Sequence, residues 1–450
     1  MLSGFTTIIF PCFLPSYFLI SFLYLSPTNS SPAMSNENSR KTWQHPWSYH
    51  EGTIITGAIL LLGFCLQIAS GGTILQFAGF PWNLISGLVF LGVLVFSFYF
   101  WQKHPIIKGL GSVIGALPAI LGFTFLVLLM GFVKQDVEPR NALARLFGLT
   151  HLIKTWPFIL INLYLLILLG IVTMKRLTPF NLKNAGFFLN HFGLFLVLFS
   201  TALGSSDMQR LTMNCNENQI EHKAVDALGK VVELPLSIKL LDFNIDEFRP
   251  KVTIVDNKTS DIVQNKGIDQ LEMLDKDSFN IAQYHIKVEK FLASSAKVGD
   301  AFIKANEPGS APSAKVFVTN SIDQTKVSGW IGSGSYINPP LALKLNANYS
   351  LVMLPAEPRK FSSRLNIQTQ SGKNVTTIIE VNKPFSIDGW TIYQTSYNTE
   401  MGRWSELSVL ELVRDPWLPL VYVGIFLMIA GAIFLFVFGK PKSGGTEYVV

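Results

Sequence analysis

The chain has 450 residues, 49% hydrophobic and only 15% charged, with a mean hydropathy of +0.35, where an average soluble protein is about 25% charged. Charges are scarce before Asp207 and common from there to Asp415, which is the composition of a membrane protein with one large water-exposed insert. The net charge of +6 and pI near 9.0 do not signal nucleic acid, because the basic residues near the apolar runs gather mainly on one side and the insert carries no basic stripe.

Residues 1–52 open with an apolar stretch, Phe5–Leu25, broken by Pro11 and Pro15 and lacking a basic leader. The polar run after Met34, SNENSRK, suits a true N-terminus. Translation is therefore expected to start at Met34, the rival readings being a signal peptide or a seventh span. Six segments then approach the length of about 20 apolar residues that crosses a bilayer: Thr53–Ala69, Trp82–Trp101, Ser112–Val133, Trp156–Met174, Ala185–Gly204 and Leu418–Phe438. Arg40 and Lys41, Lys103 and Lys108, Lys175, Arg176 and Lys183, and Lys440 and Lys442 all fall on one side if the spans alternate. That side is expected to be cytoplasmic. Lys134, Arg140, Arg145 and Lys154 count against this orientation, partly offset by Asp136 and Glu138.

The insert, 205–415, is expected outside the cytoplasm and mainly β. IKLLDFNIDEF, YHIKVEKFL, AKVFVTN, LALKLNANYSLVML, RLNIQTQ, NVTTIIEV, WTIYQTSY and ELSVLELV are short runs with alternation or β-branched and aromatic enrichment. Turn-forming stretches such as EPGSAPS, GSGS and SIDG separate them. The fold class expected is a polytopic α-helical membrane protein of about six spans, with a sandwich or open barrel inserted before the last span. Residues 439–450 are expected to form a tail on the cytoplasmic side.

Cys12, Cys65 and Cys215 form no CxxC, CxxCH or zinc-like spacing, so covalent haem attachment, an iron–sulfur site and dithiol exchange are not expected of this chain. Nothing resembles a nucleophile with its base, a phosphate loop or a paired-carboxylate site. No enzyme activity is expected.

His191 is the one ionisable residue inside a predicted span. An ionisable group in hydrocarbon is costly and usually has a task. Imidazole is a ligand for haem iron, and a membrane histidine also serves to hydrogen-bond a neighbouring helix. The residue alone leaves both open. His191 lies eight residues after Lys183, about 12 Å along the helix at about 1.5 Å per residue. Gly193 reads as a helix-packing position more than as clearance for a macrocycle. The small residues Gly424, Ala430, Gly431 and Ala432 offer a face for a partner helix. Arg414–Asp415–Pro416 reads as the shaped entry to the last span, with Asp415 as cap and Trp417 in the aromatic belt. Tyr393 and Tyr397 read as core or rim of the β domain.

Several stretches together carry a family likeness: VNKPFSIDGWTIYQTSYN (Val381–Asn398), SVLELVRDPWLPLVYVGIFLMIAG (Ser408–Gly431), LPLSIKLLDFNIDEF (Leu234–Phe248), LFGLTHLIKTWPFILINLYLLIL (Leu146–Leu168) and NHFGLFLVLFSTALGS (Asn190–Ser205). Gln135 resembles the glutamine that follows the family's first span. The chain resembles a ResB/CcsB-type cytochrome c biogenesis protein of System II over roughly Ser112 to Lys440. The pair of spans in 53–101 is additional to the usual four, 112–204 being the three-span bundle and 416–438 the last span. The resemblance implies a carrier subunit in the bacterial inner membrane. With a CcsA-type partner it would move haem b, held non-covalently, outward and present it to apocytochrome c. It also implies His191 as an axial ligand of the haem iron. Lys175, Arg176 and Lys183 read first as topology anchors; lying near the same membrane face, they are also candidates to pair with the propionates. His151, before the fourth span, is a weak outer candidate. No tryptophan-rich haem motif is present, so the chain reads as one half of the machine. A scaffold that touches no haem, and a small-solute transporter, are the alternatives from other classes.

Overall fold

In the computed structural model, which describes residues 43, 46–135, 137–139, 141–178, 181–263, 271–273 and 277–438, the apolar runs are six long helices. The readings of the start at Met34, of Cys12, Arg40, Lys41, Asp136 and Arg140, and of the tail with Lys440 and Lys442 lie outside those residues. The helices are α1 (Tyr49–Ala69), α2 (Trp82–Trp101), α4 (Val113–Phe132), α6 (Trp156–Leu177), α7 (Ala185–Gly204) and α8 (Leu418–Phe438), with short helices α3 (Pro105–Leu110) and α5 (Ala142–Leu146) between them. Each long helix is apolar and long enough to cross a bilayer, and the chain is a multi-pass membrane protein. α1 begins four residues before the expected Thr53 because Ser48 and Glu51 form a capping box. Ser112 caps α4, and α6 runs three residues past the expected Met174.

The chain divides into two units, 1–208 with 415–450, and 209–414. In the first, α6 is the central helix. Ile55, Ile59 and Leu60 of α1 pack with Ile120 and Leu126 of α4 and with Ile161 and Tyr164 of α6. Leu94 of α2 packs with Leu169 and Ile171 of α6 and Leu194 and Phe195 of α7. Phe90 of α2 and Phe199 of α7 stack, their centroids 6.1 Å apart. The additional pair is thus built into the bundle. A polar seam fixes one end of it: the fully buried Gln67 accepts the Trp156 N–H (3.1 Å) and donates to the Thr73 carbonyl (3.2 Å), and the Leu75 N–H donates to the Lys154 carbonyl (2.9 Å). Satisfying those groups internally matters where water is excluded.

α7 and α8 are in backbone contact. A Cβ on Gly193 would lie 2.6 Å from the Gly424 carbonyl oxygen, one on Gly424 would lie 2.7 Å from the Gly193 oxygen, and one on Gly431 2.7 Å from the Asn190 nitrogen. Glycine alone permits that approach. Gly193 is therefore a packing residue, and the glycines of the last span meet α7 of the same chain. Ala430 and Ala432 face outward. Asp415 caps α8, accepting the N–H groups of Trp417 (3.0 Å) and Leu418 (3.1 Å), as its position suggested.

The second unit has two cores. An eight-stranded antiparallel sheet runs in the order β14-β13-β3-β2-β1-β17-β16-β15, where β1 is Gln209–Asn216, β2 Ile220–Val225, β3 Val231–Glu247, β13 Pro358–Thr369, β14 Asn374–Glu380, β15 Phe385–Ile387, β16 Trp390–Tyr397 and β17 Leu407–Arg414. Alternate residues turn inward, as along Leu234, Leu236, Ile238 and Leu240. One core takes side chains from all eight strands. The turn before β14 is bonded to the turn after β15 through Ser371 and Lys373, each 2.6 Å from Asp388. The sheet therefore curls to bring its end strands together.

The other core lies between β11-β12-β4-β5 and β10-β9-β7-β6, with β8 on β7. Their ranges are β4 Lys251–Asp256, β5 Leu271–Glu272, β6 Ser278–Ile281, β7 Tyr284–Val298, β8 Ala301–Lys304, β9 Ala311–Asn320, β10 Lys326–Gly332, β11 Leu343–Lys344 and β12 Tyr349–Met353. Strands β1, β2, β4, β5, β6, β8, β10 and β15 were not among the expected runs, and LALKLNANYSLVML is split at a turn. Arg403 donates to Ser294 Oγ (2.9 Å) and the Ser310 carbonyl (3.0 Å), and Trp404 Nε1 donates to the same carbonyl (2.9 Å). These bonds tie the turn before β17 to β7 and to the residue before β9.

Candidate haem-handling site on the fifth long helix

The turn Leu182–Asn184 feeds α7, whose first two turns carry Phe187 and His191 on one face at i, i+4 spacing. His191 is half-buried. Its Nδ1 lies 3.0 Å from the Phe187 carbonyl oxygen. A carbonyl only accepts, so Nδ1 carries the proton and Nε2 holds the lone pair. The Phe187 ring stacks on the imidazole at 3.7 Å between centroids and 15° between planes. Arg176, in the last turn of α6, places its Cζ 4.9 Å from the centre of that ring.

Of the three cations proposed from sequence, Arg176 is thus brought to the neighbour of His191. Lys175 runs toward Gly111 at the start of α4: its Cδ would lie 3.8 Å from a Cβ on Gly111. Lys183 stands in the turn that leads into α7. An imidazole whose Nδ1–H is held by a carbonyl is the donor that iron uses through Nε2, so the residues present fit haem as a cargo. Phe187 was not singled out from sequence, although its spacing from His191 was visible there.

The other histidines have local roles or stand apart. His104 caps α3, its Nδ1 accepting the Ile106 N–H. His151 sits in the kinked turn Leu149–Lys154 with Nδ1 3.0 Å from Thr150 Oγ1. His285 lies 2.8 Å from Asn280 Oδ1. Among the described residues no three His, Cys, Asp or Glu side chains gather as a metal site. Cys215 is fully buried in the curled sheet, where desolvation and then the Glu221 charge push its thiol up to about 12. It is a core residue without thiolate character. Tyr397 packs against Phe243 and Phe361 at the rim of the same core.

A second polar centre was not expected. Asp207, three residues after α7 ends, accepts the Phe80 N–H (2.8 Å), Asn83 Nδ2–H (2.7 Å) and Trp417 Nε1–H (2.7 Å). Asn83 also donates to the Leu203 carbonyl (2.9 Å). One carboxylate thus gathers the start of α2, the end of α7 and the entry to α8. Desolvation raises its pKa, and the bonds from Trp417, Asn83 and Phe80 outweigh that, holding the acid below the ordinary aspartate range.

Comparison with known proteins decides the family. The model of the ResB-like family matches residues 181–405, half of the chain, from the turn before α7 to the turn before β17. The chain belongs to the ResB-like family. A role in cytochrome c biogenesis goes with that membership, and His191 of this ResB-like protein falls inside the matched segment. No curated protein matches it. Among solved structures, the Cytochrome c Heme Lyase CcmF aligns at 13% identity over 87% of this chain and 46% of its own, with a TM-score of 0.22. This ResB-like chain therefore spans less than half of that protein's length, and a likeness so slight carries no argument about fold or activity.

Proposed function

We propose that the protein is the haem-carrying membrane subunit of a System II cytochrome c maturation complex. It takes haem b from the cytoplasmic side and, with a CcsA-type partner, passes it outward for covalent attachment to apocytochrome c. The observation that carries this reading is His191: an imidazole on a membrane helix of the family-matched segment, with Nδ1–H held by the Phe187 carbonyl, which puts the lone pair on Nε2, the nitrogen that would ligate iron. A histidine from each of two proteins leaves the iron no open position, which suits carriage rather than catalysis. Arg176, Lys175 and Lys183 supply positive charge at the same end of the helices for the propionates. The distribution of basic residues supports placing that end in the cytoplasm and the β unit outside, in an inner membrane. There the β unit would position apocytochrome or brace the partner.

The alternative is a scaffold that stabilises the partner without touching haem. It is favoured by the size of the β unit, which has no need of a membrane histidine. Cytochrome c maturation in a strain lacking the chain separates the two. On the carrier reading His191→Ala abolishes covalent cytochrome c, and exogenous imidazole restores part of it. On the scaffold reading His191→Ala matures cytochrome c normally, whereas removal of 209–414 does not.

A further inference from the structure

His191 is held from two directions by one neighbour. The Phe187 carbonyl takes its Nδ1 proton at 3.0 Å, and the Phe187 ring lies 3.7 Å from the imidazole and within 15° of parallel. That ring is itself met by the Arg176 guanidinium at 4.9 Å, reaching across from the last turn of α6. The three side chains form a stack that joins two helices.

An imidazole on an unsupported helix turns about a soft second torsion, and the direction of its Nε2 lone pair turns with it. A stacked ring fixes the plane, and the hydrogen bond fixes the tautomer. A guanidinium over the ring restrains the ring in turn. We propose that Phe187 and Arg176 are positioning residues for His191: Phe187 sets the tautomer and plane of the imidazole, and Arg176 holds the Phe187 ring in place. The inference rests on the haem-carrier reading and deepens it. It also separates two uses of Arg176. A partner for a propionate needs only positive charge, which lysine supplies. A planar cap on an aromatic ring needs the guanidinium.

Two measurements on the full chain in detergent test this. The first needs no haem: with histidine labelled by nitrogen-15, the ring-nitrogen shifts of His191, assigned by their loss in His191→Gln, report its tautomer. The wild type and Phe187→Tyr should show a single Nδ1–H form. Phe187→Leu and Arg176→Gln keep the Phe187 backbone carbonyl but free the imidazole to swing out of its reach, and so should show a mixture; Arg176→Lys should resemble Arg176→Gln. The second is haem titration by absorption. Phe187→Leu should weaken binding by about threefold to tenfold, the worth of one aromatic stack, and Arg176→Gln by about threefold. His191→Ala should remove the ligated band. A single tautomer and wild-type affinity in Phe187→Leu would overturn the proposal. If His191→Ala leaves haem affinity unchanged, the carrier reading fails instead, and the nitrogen shifts still decide whether the stack holds the ring.

Discussion

Replacing Asp207 should loosen the bundle where three helices meet, by an amount the geometry allows to be worked out. Its carboxylate accepts three hydrogen bonds of 2.7–2.8 Å, from Phe80, Asn83 and Trp417. Bonds to a charged acceptor are worth about 1.5–3 kcal/mol each. Asp207 is half-exposed, so water replaces part of what is lost, and Asp207→Ala should cost about 2–4 kcal/mol after that discount. Asp207→Asn should cost less, because its amide oxygen can take the Oδ2 place and keep the Asn83 and Trp417 donors, its hydrogens then facing only the Phe80 N–H. Unfolding in mixed micelles by denaturing detergent gives the energies. A cycle of Asp207→Ala with Trp417→Phe should show a coupling of about 1–2 kcal/mol. Because the folded acid is held below the ordinary value near 3.9, its stabilisation is full above that pH and is lost as pH falls through the folded pKa. The wild type should thus lose more stability than Asp207→Asn on descending below about pH 4. Zero coupling to Trp417, with equal acid sensitivity in both proteins, would refute the reasoning.

The other expectations follow from the same contacts. Gly424→Leu should split α7 from α8, since its Cβ would meet the Gly193 oxygen at 2.7 Å. Overpacking costs about 1–3 kcal/mol and more where backbone must yield, whereas Gly92→Ala, with nothing within 4 Å, should be silent in the same assay. Gln67→Leu should cost about 2–3 kcal/mol by stranding the Trp156 N–H and Thr73 carbonyl, read as a lower midpoint of thermal aggregation. Cys215, buried and with its thiol pushed up to about 12, should resist a water-soluble maleimide at pH 8 until the β unit is unfolded; labelling in the folded protein would contradict its placement.

What could be read from the sequence was what depends on local pattern. The long helices were legible because each is an apolar run near bilayer length, and the cap at Asp415 was legible because capping is a short-range event. Strands such as WTIYQTSY showed their alternation. β1, QRLTMNCN, buries Leu211, Met213 and Cys215, but its polar alternates hid it among neighbouring polar residues. β2, IEHKAV, buries only Ala224 and shows almost no pattern. The additional span pair could not be placed from its own residues, because Gln67 acts on Trp156 and α1 packs on α4 and α6, far along the chain. Gly424 and Gly431 announced a close helix contact, but not that its other half was Gly193 and Asn190. At the site, His191 was visible as a lone ionisable group. Phe187 was within reach of an i, i+4 reading, while Arg176 enters only once α6 and α7 are folded together. Asp207 looked like the first charge of the insert, and only three distant donors reveal it as a centre.

The central claim is that His191 binds haem iron. The chain should be co-expressed and purified with a CcsA-type protein, and its haem content and absorption spectrum recorded for wild type and His191→Ala. The account predicts six-coordinate haem in the wild type, loss of that haem in the variant, and its return when imidazole is supplied. Equal haem content and an unchanged spectrum in His191→Ala would contradict it.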